Sequence, residues 1–139
     1  MKAIEVSAGL VFQDGRLLIA QRPAGTHLPG LWEFPGGKRQ PGESPEDCLC
    51  RELREELGCE IAIEGGALEI IHPYEDRTVC LRFFQCRITS GVARPLGCAA
   101  LAWVTRDQLS AYRFPAADER LLEWLRSDPA LWVSSVRSP

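Results

Sequence analysis

Residues 37–58 read GKRQPGESPEDCLCRELREELG, and the second half of this stretch decides how the chain folds. Ser44 offers a hydroxyl to a free backbone N–H, Pro45 follows where a helix can spare its own N–H, and Glu46 and Asp47 suit a first turn. Leu49, Leu53 and Leu57 recur every four residues, and Gly58 stands where a left-handed cap closes a helix. The spacing predicts one amphipathic helix over residues 45–57. Beside the leucine stripe, Glu52, Glu55 and Glu56 fall at i, i+3 and i+4, with Glu43 just ahead of the cap. Carboxylates this close repel one another unless a cation neutralises them, which suits a hard ion such as Mg2+ or Mn2+. Taken without context, the same residues also describe a solvated helix face with an ordinary Arg51–Glu55 ion pair.

Working outward, Pro35-Gly36-Gly37 breaks the chain before the helix and can bring backbone amides and carbonyls to its acidic face. The short apolar stretch Leu31-Trp32-Glu33-Phe34 precedes it, and residues 22–30, with two prolines and two glycines, read as a loop. Ile4 to Val11 and Arg16 to Gln21 alternate around the tight-turn pair Asp14-Gly15, a β-hairpin pattern. After the helix, residues 67–71, 78–88 and 100–104 have strand character. Residues 106–112 suggest a helical turn, and Leu121, Leu122, Trp124 and Leu125 place a second amphipathic helix over 115–126. The mixed order indicates an α/β or α+β sandwich, with residues 1–139 as one domain and 127–139 as its C-terminal tail. Trp132 in that tail either caps the core or meets a partner.

Composition narrows the function. The chain has 139 residues, a formal net charge of -3, 45% hydrophobic and 25% charged residues. No apolar run is long enough for a bilayer, and the N-terminus lacks a signal-peptide pattern, so a cytoplasmic location and no membrane association are expected. The acidic balance argues against stable nucleic-acid binding. Six cysteines form no CxxC pair, and His27 and His72 have no partner at zinc-finger spacing, so the cysteines read as small hydrophobes.

Gly37, five residues, Glu43, seven residues, Arg51-Glu52-Leu53, one residue, Glu55-Glu56, one residue and Gly58 resemble the Nudix box in full. From average residue usage, such a match at a given start has a chance probability on the order of 10⁻⁹. Cys59 alone departs, standing where the family usually has an aliphatic residue. The resemblance to MutT-like Nudix hydrolases runs from the first hairpin to Phe114-Pro115-Ala116-Ala117-Asp118. It implies an α/β/α sandwich around a mixed sheet, with the box as a loop-helix-loop. It implies Mg2+, with Mn2+ as a substitute, held by Glu52 and Glu56, with Glu55 assisting and the Gly36 carbonyl contributing. Glu52 would be the general base, Arg51 would orient a glutamate, and Glu43, Gly37, Leu53 and Gly58 would shape the motif.

The reaction implied is attack of water on an internal phosphorus of a nucleoside triphosphate, giving a monophosphate and pyrophosphate, as in nucleotide-pool sanitation. Substrate-binding candidates are Arg22, Phe34, Gly37, Lys38, Arg77 and Asp118, with Trp32 and Phe83 as further stacking candidates. Hydrolysis of ADP-ribose or another nucleoside diphosphate derivative is the alternative. A nucleotide-sensing domain is the non-enzymatic reading, although such a domain is expected to lose box glutamates. The expected partner is a small-molecule nucleotide, and the assembly a monomer or homodimer.

This sequence departs from the MutT-like pattern at two places. A further metal-binding glutamate is common six residues before a late tryptophan; counting back from Trp103 gives Gly97, with Glu75 or Asp76 as substitutes. Asp118 replaces the asparagine of the purine-selective branch. Its ionised form accepts from an exocyclic amine such as cytosine N4, and its protonated form also donates, as an oxidised purine requires. Ala20-Gln21-Arg22-Pro23-Ala24 and Gly30-Leu31-Trp32-Glu33-Phe34 resemble the bacterial CTP pyrophosphohydrolase branch, which also has aspartate there.

Overall fold

The computed structural model describes residues 2–25 and 28–133, so His27 and the tail residues 134–139 lie outside the described residues. Strand β1 (Lys2–Gln13) turns into β2 (Arg16–Gln21) through Asp14 and Gly15, at φ 53° and 75°. Two left-handed residues in succession give the turn whose twist suits antiparallel strands. Then follow β3 (Trp32–Glu33), β4 (Gly36–Lys38), helix α1 (Pro45–Leu57), β5 (Glu60–Pro73), β6 (Arg77–Ser90), β7 (Ala100–Val104) and helix α2 (Glu119–Ser127). Short 3-10 turns cover Arg106–Ala111, Ala116–Asp118 and Pro129–Trp132.

The sheet runs β3-β2-β1-β6-β5, with β4 added to β1 and β7 to β2. It is mixed, because β1 and β6 pair in parallel from Lys2–Arg77 to Val11–Cys86, while the other pairings are antiparallel. Period-two alternation then separates two cores. Val11, Leu18, Phe84 and Cys86 meet Leu49, Leu53 and Leu57 of α1 on one face. Leu10, Leu17, Ile19 and Phe83 meet Leu121, Leu122 and Leu125 of α2 on the other. The result is the helix-sheet-helix sandwich that the resemblance implies.

Three details differ from the sequence reading. Residues 36–38 do not merely break the chain but pair with β1, Gly36 opposite Ala8 and Gly37 opposite Ser7. A Cβ at Gly36 would overlap the Ser7 carbonyl and approach Ala8 Cα to 2.7 Å, so glycine is what lets this pairing form. Strand β5 begins at Glu60, well before Ala67, because register shifts around Gly65 carry the pairing past residues that read as a turn. The last α-helix starts at Glu119, after a 3-10 turn that uses Ala116–Asp118.

Helix α1 is capped as its sequence predicts: the Asp47 N–H donates to Ser44 Oγ at 3.0 Å, and Gly58 at φ 71° donates its N–H to the Arg54 carbonyl. Ser7, one of two buried polar residues among the described residues, donates from Oγ to the Pro45 carbonyl at 2.8 Å and ties the helix start to β1. No helix among the described residues is long and apolar enough to cross a membrane.

Trp132 closes the α2 side. It is 7% exposed, meets Phe12 edge-on at 5.3 Å and donates from Nε1 to the Leu125 carbonyl at 2.8 Å. Trp132→Ala is expected to cost about 3–5 kcal/mol in urea unfolding, the range for truncating a large buried aromatic. A cost under about 1 kcal/mol would show that the tail adds nothing to this core.

Candidate active site

The acidic face of α1 is organised by one guanidinium. Arg51 Nε and Nη2 donate to the two oxygens of Glu43 at 2.5 and 3.0 Å. Its Nη1 donates to Glu52 and Glu55, each at 3.1 Å, and Nη2 also reaches the Lys38 carbonyl at 3.1 Å. Arg51 and the Gln40 N–H hold the Glu43 carboxyl below the usual carboxylate range. Three of the four glutamates therefore converge on Arg51 rather than on a common point with Glu56. Among the described residues, no three acidic, histidine or cysteine side chains surround one point ready for a metal ion.

On the helix itself, Glu52 and Glu56 are half-buried while Glu55 is exposed. Burial pushes the Glu52 carboxyl upward against the pull of Arg51, and its carboxylate fills the space over Gly37 that a Cβ would occupy. Burial, then repulsion from Glu33 and Glu52, pushes Glu56 up to about 8 despite a hydrogen bond from the Gly36 N–H. A carboxyl with that proton affinity beside two further carboxyls is a strong sink for positive charge. The hard oxygen donors of Glu52, Glu55 and Glu56 thus fit a divalent cation in chemistry. Gly37 is braced from behind by Cys48, whose Sγ lies 3.5 Å from its carbonyl oxygen.

Across the sheet from α1 lies a cavity of about 190 Å³, lined among others by Arg22, Leu28, Glu33, Phe34, Tyr74 and Asp118. Asp118 is 7% exposed; burial, then repulsion from Glu33, pushes its carboxyl up to about 7, with Arg22 opposing. Glu33 is raised by burial while Arg22 Nη1 donates to it at 2.6 Å. Because Glu33 repels both Glu56 and Asp118, it links the acidic helix to the cavity.

A family model described as the NUDIX domain matches residues 7–124. The chain belongs to the Nudix hydrolase family. It is 38% identical over 123 residues to the CTP pyrophosphohydrolase of Escherichia coli K12, covering 88% of this chain and 91% of that protein. It is 33% identical over 130 residues to the 8-oxo-dGTP diphosphatase of Haemophilus influenzae, covering 91% and 94%. The solution structure of the E. coli ORF135 protein superposes with a TM-score of 0.77 at 38% identity, over 91% of this chain and 93% of that one.

Within this Nudix chain, the substrate-binding candidates divide. Arg22, Phe34 and Asp118 share the cavity, and Phe83 also lines it. Phe34 presents one face to Phe114, stacked at 5.1 Å, and meets Phe83 edge-on at 6.1 Å. Trp32 packs on Tyr112 instead, and Arg77 lies over the Tyr74 ring at 5.8 Å. Lys38 is exposed and lines a separate groove with Glu5 and Arg39. Glu75 and Asp76 are exposed between β5 and β6, whereas Gly97 packs directly on Glu56, 3.1 Å from Cγ to the position of a Cβ. Sequence reasoning missed Glu33, whose signal was a single charge inside an apolar strand, and Ser7 and Cys48, which carry no distinguishing pattern.

Asp118 gives the apo protein a pH signature. Between the unfolded value of 3.8 and about 7, the folded chain retains a proton there that the unfolded chain releases. Its stabilising contribution is therefore full below about pH 4 and falls as pH rises through 7, by up to about 1.4 kcal/mol per unit. Asp118→Asn removes that slope. Relative to wild type, the variant is expected to gain more than about 1 kcal/mol in urea unfolding between pH 4.5 and 7. Parallel profiles for the two proteins would show that Asp118 is not protonated in the fold.

Proposed function

We propose that this Nudix enzyme hydrolyses nucleoside triphosphates to a monophosphate and pyrophosphate, favouring bases that present a hydrogen-bond acceptor and donor side by side. The observation that carries the proposal is a buried, easily protonated Asp118 in a cavity joined through Glu33 to the carboxylate helix. A protonated carboxyl donates through one oxygen and accepts through the other. Cytosine offers N3 as acceptor beside the N4 amine; 8-oxoguanine offers O6 beside a protonated N7. The two named relatives, a CTP pyrophosphohydrolase and an 8-oxo-dGTP diphosphatase, fall within this chemistry. On the same O6/N7 edge unmodified guanine presents two acceptors, which leaves the Asp118 proton with a partner but the second oxygen without one.

At the other end, Glu52, Glu55 and Glu56 would hold Mg2+, with the Gly36 carbonyl as a backbone ligand. Bound there, the ion supplies neutralisation of phosphate oxygens and a more acidic water. The chain's own residues then do the remaining work. Arg51 holds Glu52 and Glu55 on the substrate side of α1 through the 3.1 Å contacts, and Glu43 anchors Arg51. Glu52, half-buried and raised by burial, would accept the proton of the attacking water. Glu33 and Arg22 line the cavity and would meet the nucleoside on its way to the helix, with Phe34 backed by the stacked Phe114 ring. A small site of this kind suits a free nucleotide, and the proposal includes a nucleotide-pool role in the cytoplasm with no stable nucleic-acid complex.

The test is a panel of CTP, dCTP, 8-oxo-dGTP, dGTP and ADP-ribose with Mg2+, read as kcat/KM with product identification. Cytosine or 8-oxoguanine nucleotides are expected to lead dGTP and to release pyrophosphate; turnover of ADP-ribose alone would overturn the triphosphate reading. Asp118→Ala is expected to lower kcat/KM on the preferred nucleotide about 5- to 150-fold, equivalent to about 1–3 kcal/mol. Glu56→Gln is expected to lower kcat at least about 100-fold with an unchanged circular dichroism spectrum. Full activity in that variant would remove Glu56 from the metal site.

A further inference from the structure

The loop that leaves β6 crosses the C-terminal end of α1. The Arg94 N–H donates to the Leu57 carbonyl at 2.9 Å, and the N–H groups of Leu96 and Gly97 both donate to the Glu56 carbonyl, at 3.0 and 3.1 Å. These are carbonyls that a helix end leaves without partners, so the loop takes over part of the capping. Its far end is fixed to the sheet by the Ala99 N–H on the Gln21 carbonyl at 2.9 Å. Gly97 then lies flat against Glu56: a Cβ there would stand 3.1 Å from Glu56 Cγ, 3.3 Å from its Cα and 3.5 Å from its Cβ.

Gly97 does not have a positive φ, so the requirement for glycine at this place is one of space rather than of backbone conformation. Rotating the Glu56 side chain would relieve the contact with Cγ but not the one with Cα. An added methyl therefore fits only if the loop or the Glu56 stem gives by a few tenths of an ångström, which shifts the Glu56 carboxyl relative to the Gly36 N–H. Glu56 is threaded between two glycines, Gly97 at its stem and Gly36 at its head.

We propose that Gly97 is a positioning residue for Glu56: its missing side chain and its N–H together set the direction in which that carboxylate is presented to the metal. Where the MutT-like pattern supplies a carboxylate of its own at this place, the present chain supplies the space that fixes its neighbour. The inference rests on Glu56 being a metal ligand, as proposed above, and the test separates the two.

Mn2+ binding to the nucleotide-free protein, followed by electron paramagnetic resonance, is measured for wild type, Gly97→Ala, Glu56→Ala and the double variant. Gly97→Ala is expected to weaken Mn2+ binding about 10-fold and to lower kcat with KM little changed, the effect typical of a group that orients a metal ligand. In the Glu56→Ala background the same substitution is expected to change Mn2+ affinity no further, because its target is gone. Wild-type Mn2+ affinity in a folded Gly97→Ala protein would overturn the positioning role while leaving the metal role of Glu56 intact, provided Glu56→Ala itself weakens binding. Unchanged binding in Glu56→Ala would overturn both. Should Gly97→Ala alone fail to fold, recovery of the fold in the double variant places the conflict at the Glu56 side chain and supports the positioning role; no recovery places it at the helix backbone and overturns that role.

Discussion

Four carboxylates on and beside one helix need positive charge, and Arg51 supplies it from within the helix itself. Its side chain is only 18% exposed, as are those of Glu43 and Glu52 to within a percentage point, so these two pairs, unlike that with the exposed Glu55, are shielded from much of the screening that weakens surface ion pairs. The two bonds to Glu43 make a fork that fixes the guanidinium in plane, and the remaining donors then reach Glu52, Glu55 and the Lys38 carbonyl. One side chain thereby joins the loop before the helix, the strand β4 and the acidic face. Lysine carries the same charge but lacks the planar fork and could not hold these groups in fixed directions.

The sheet imposes the complementary constraint. For Glu52 to lie over Gly37, strand β4 must sit close to both β1 and α1, and each approach is allowed by an absent Cβ: Gly36 toward Ser7 and Ala8, Gly37 toward Glu52. Ser7 and Cys48 convert that proximity into fixed geometry through the carbonyls of Pro45 and Gly37. The acidic face is thus set by backbone contacts as much as by the glutamates, and those contacts transmit the position of β1 directly to the helix.

This explains why some parts of the molecule were legible in the sequence and others were not. The cap at Ser44, the leucine stripe and Gly58 are local signals, satisfied within one helix, and α1 has the bounds they predict. The pairing of residues 36–38 with β1 is non-local: Gly36 and Gly37 read as a break because nothing nearby shows that a strand thirty residues earlier fills the space their side chains leave. The early start of β5 was obscured for a related reason, since Gly65 and Gly66 signal a turn locally while β6 supplies partners on both sides of them. At the site, the residue types and spacing gave the glutamates, but their directions depend on Arg51, whose role as a hub needs the coordinates of four partners. Glu33 stayed hidden because its meaning lies in what surrounds it, a half-buried position from which it repels both Asp118 and Glu56.

That position brings the two ends of the site under one electrostatic rule. Glu33, Glu56 and Asp118 are all raised by burial, and Glu33 adds repulsion to both of the others. Arg22 offsets part of this charge through its 2.6 Å contact with Glu33, yet three half-buried or buried carboxyls outnumber one guanidinium. An anionic substrate entering such a site meets net repulsion unless the carboxyls are neutralised. In the proposed function the two ends meet that requirement differently. At the helix a divalent cation would neutralise the glutamates and attract the phosphates; in the cavity a proton on Asp118 would neutralise that carboxyl and serve as the donor to the base. Metal binding at one end and base selection at the other would then be two answers to the same burial of carboxyls, to which Glu33 adds its repulsion at both ends.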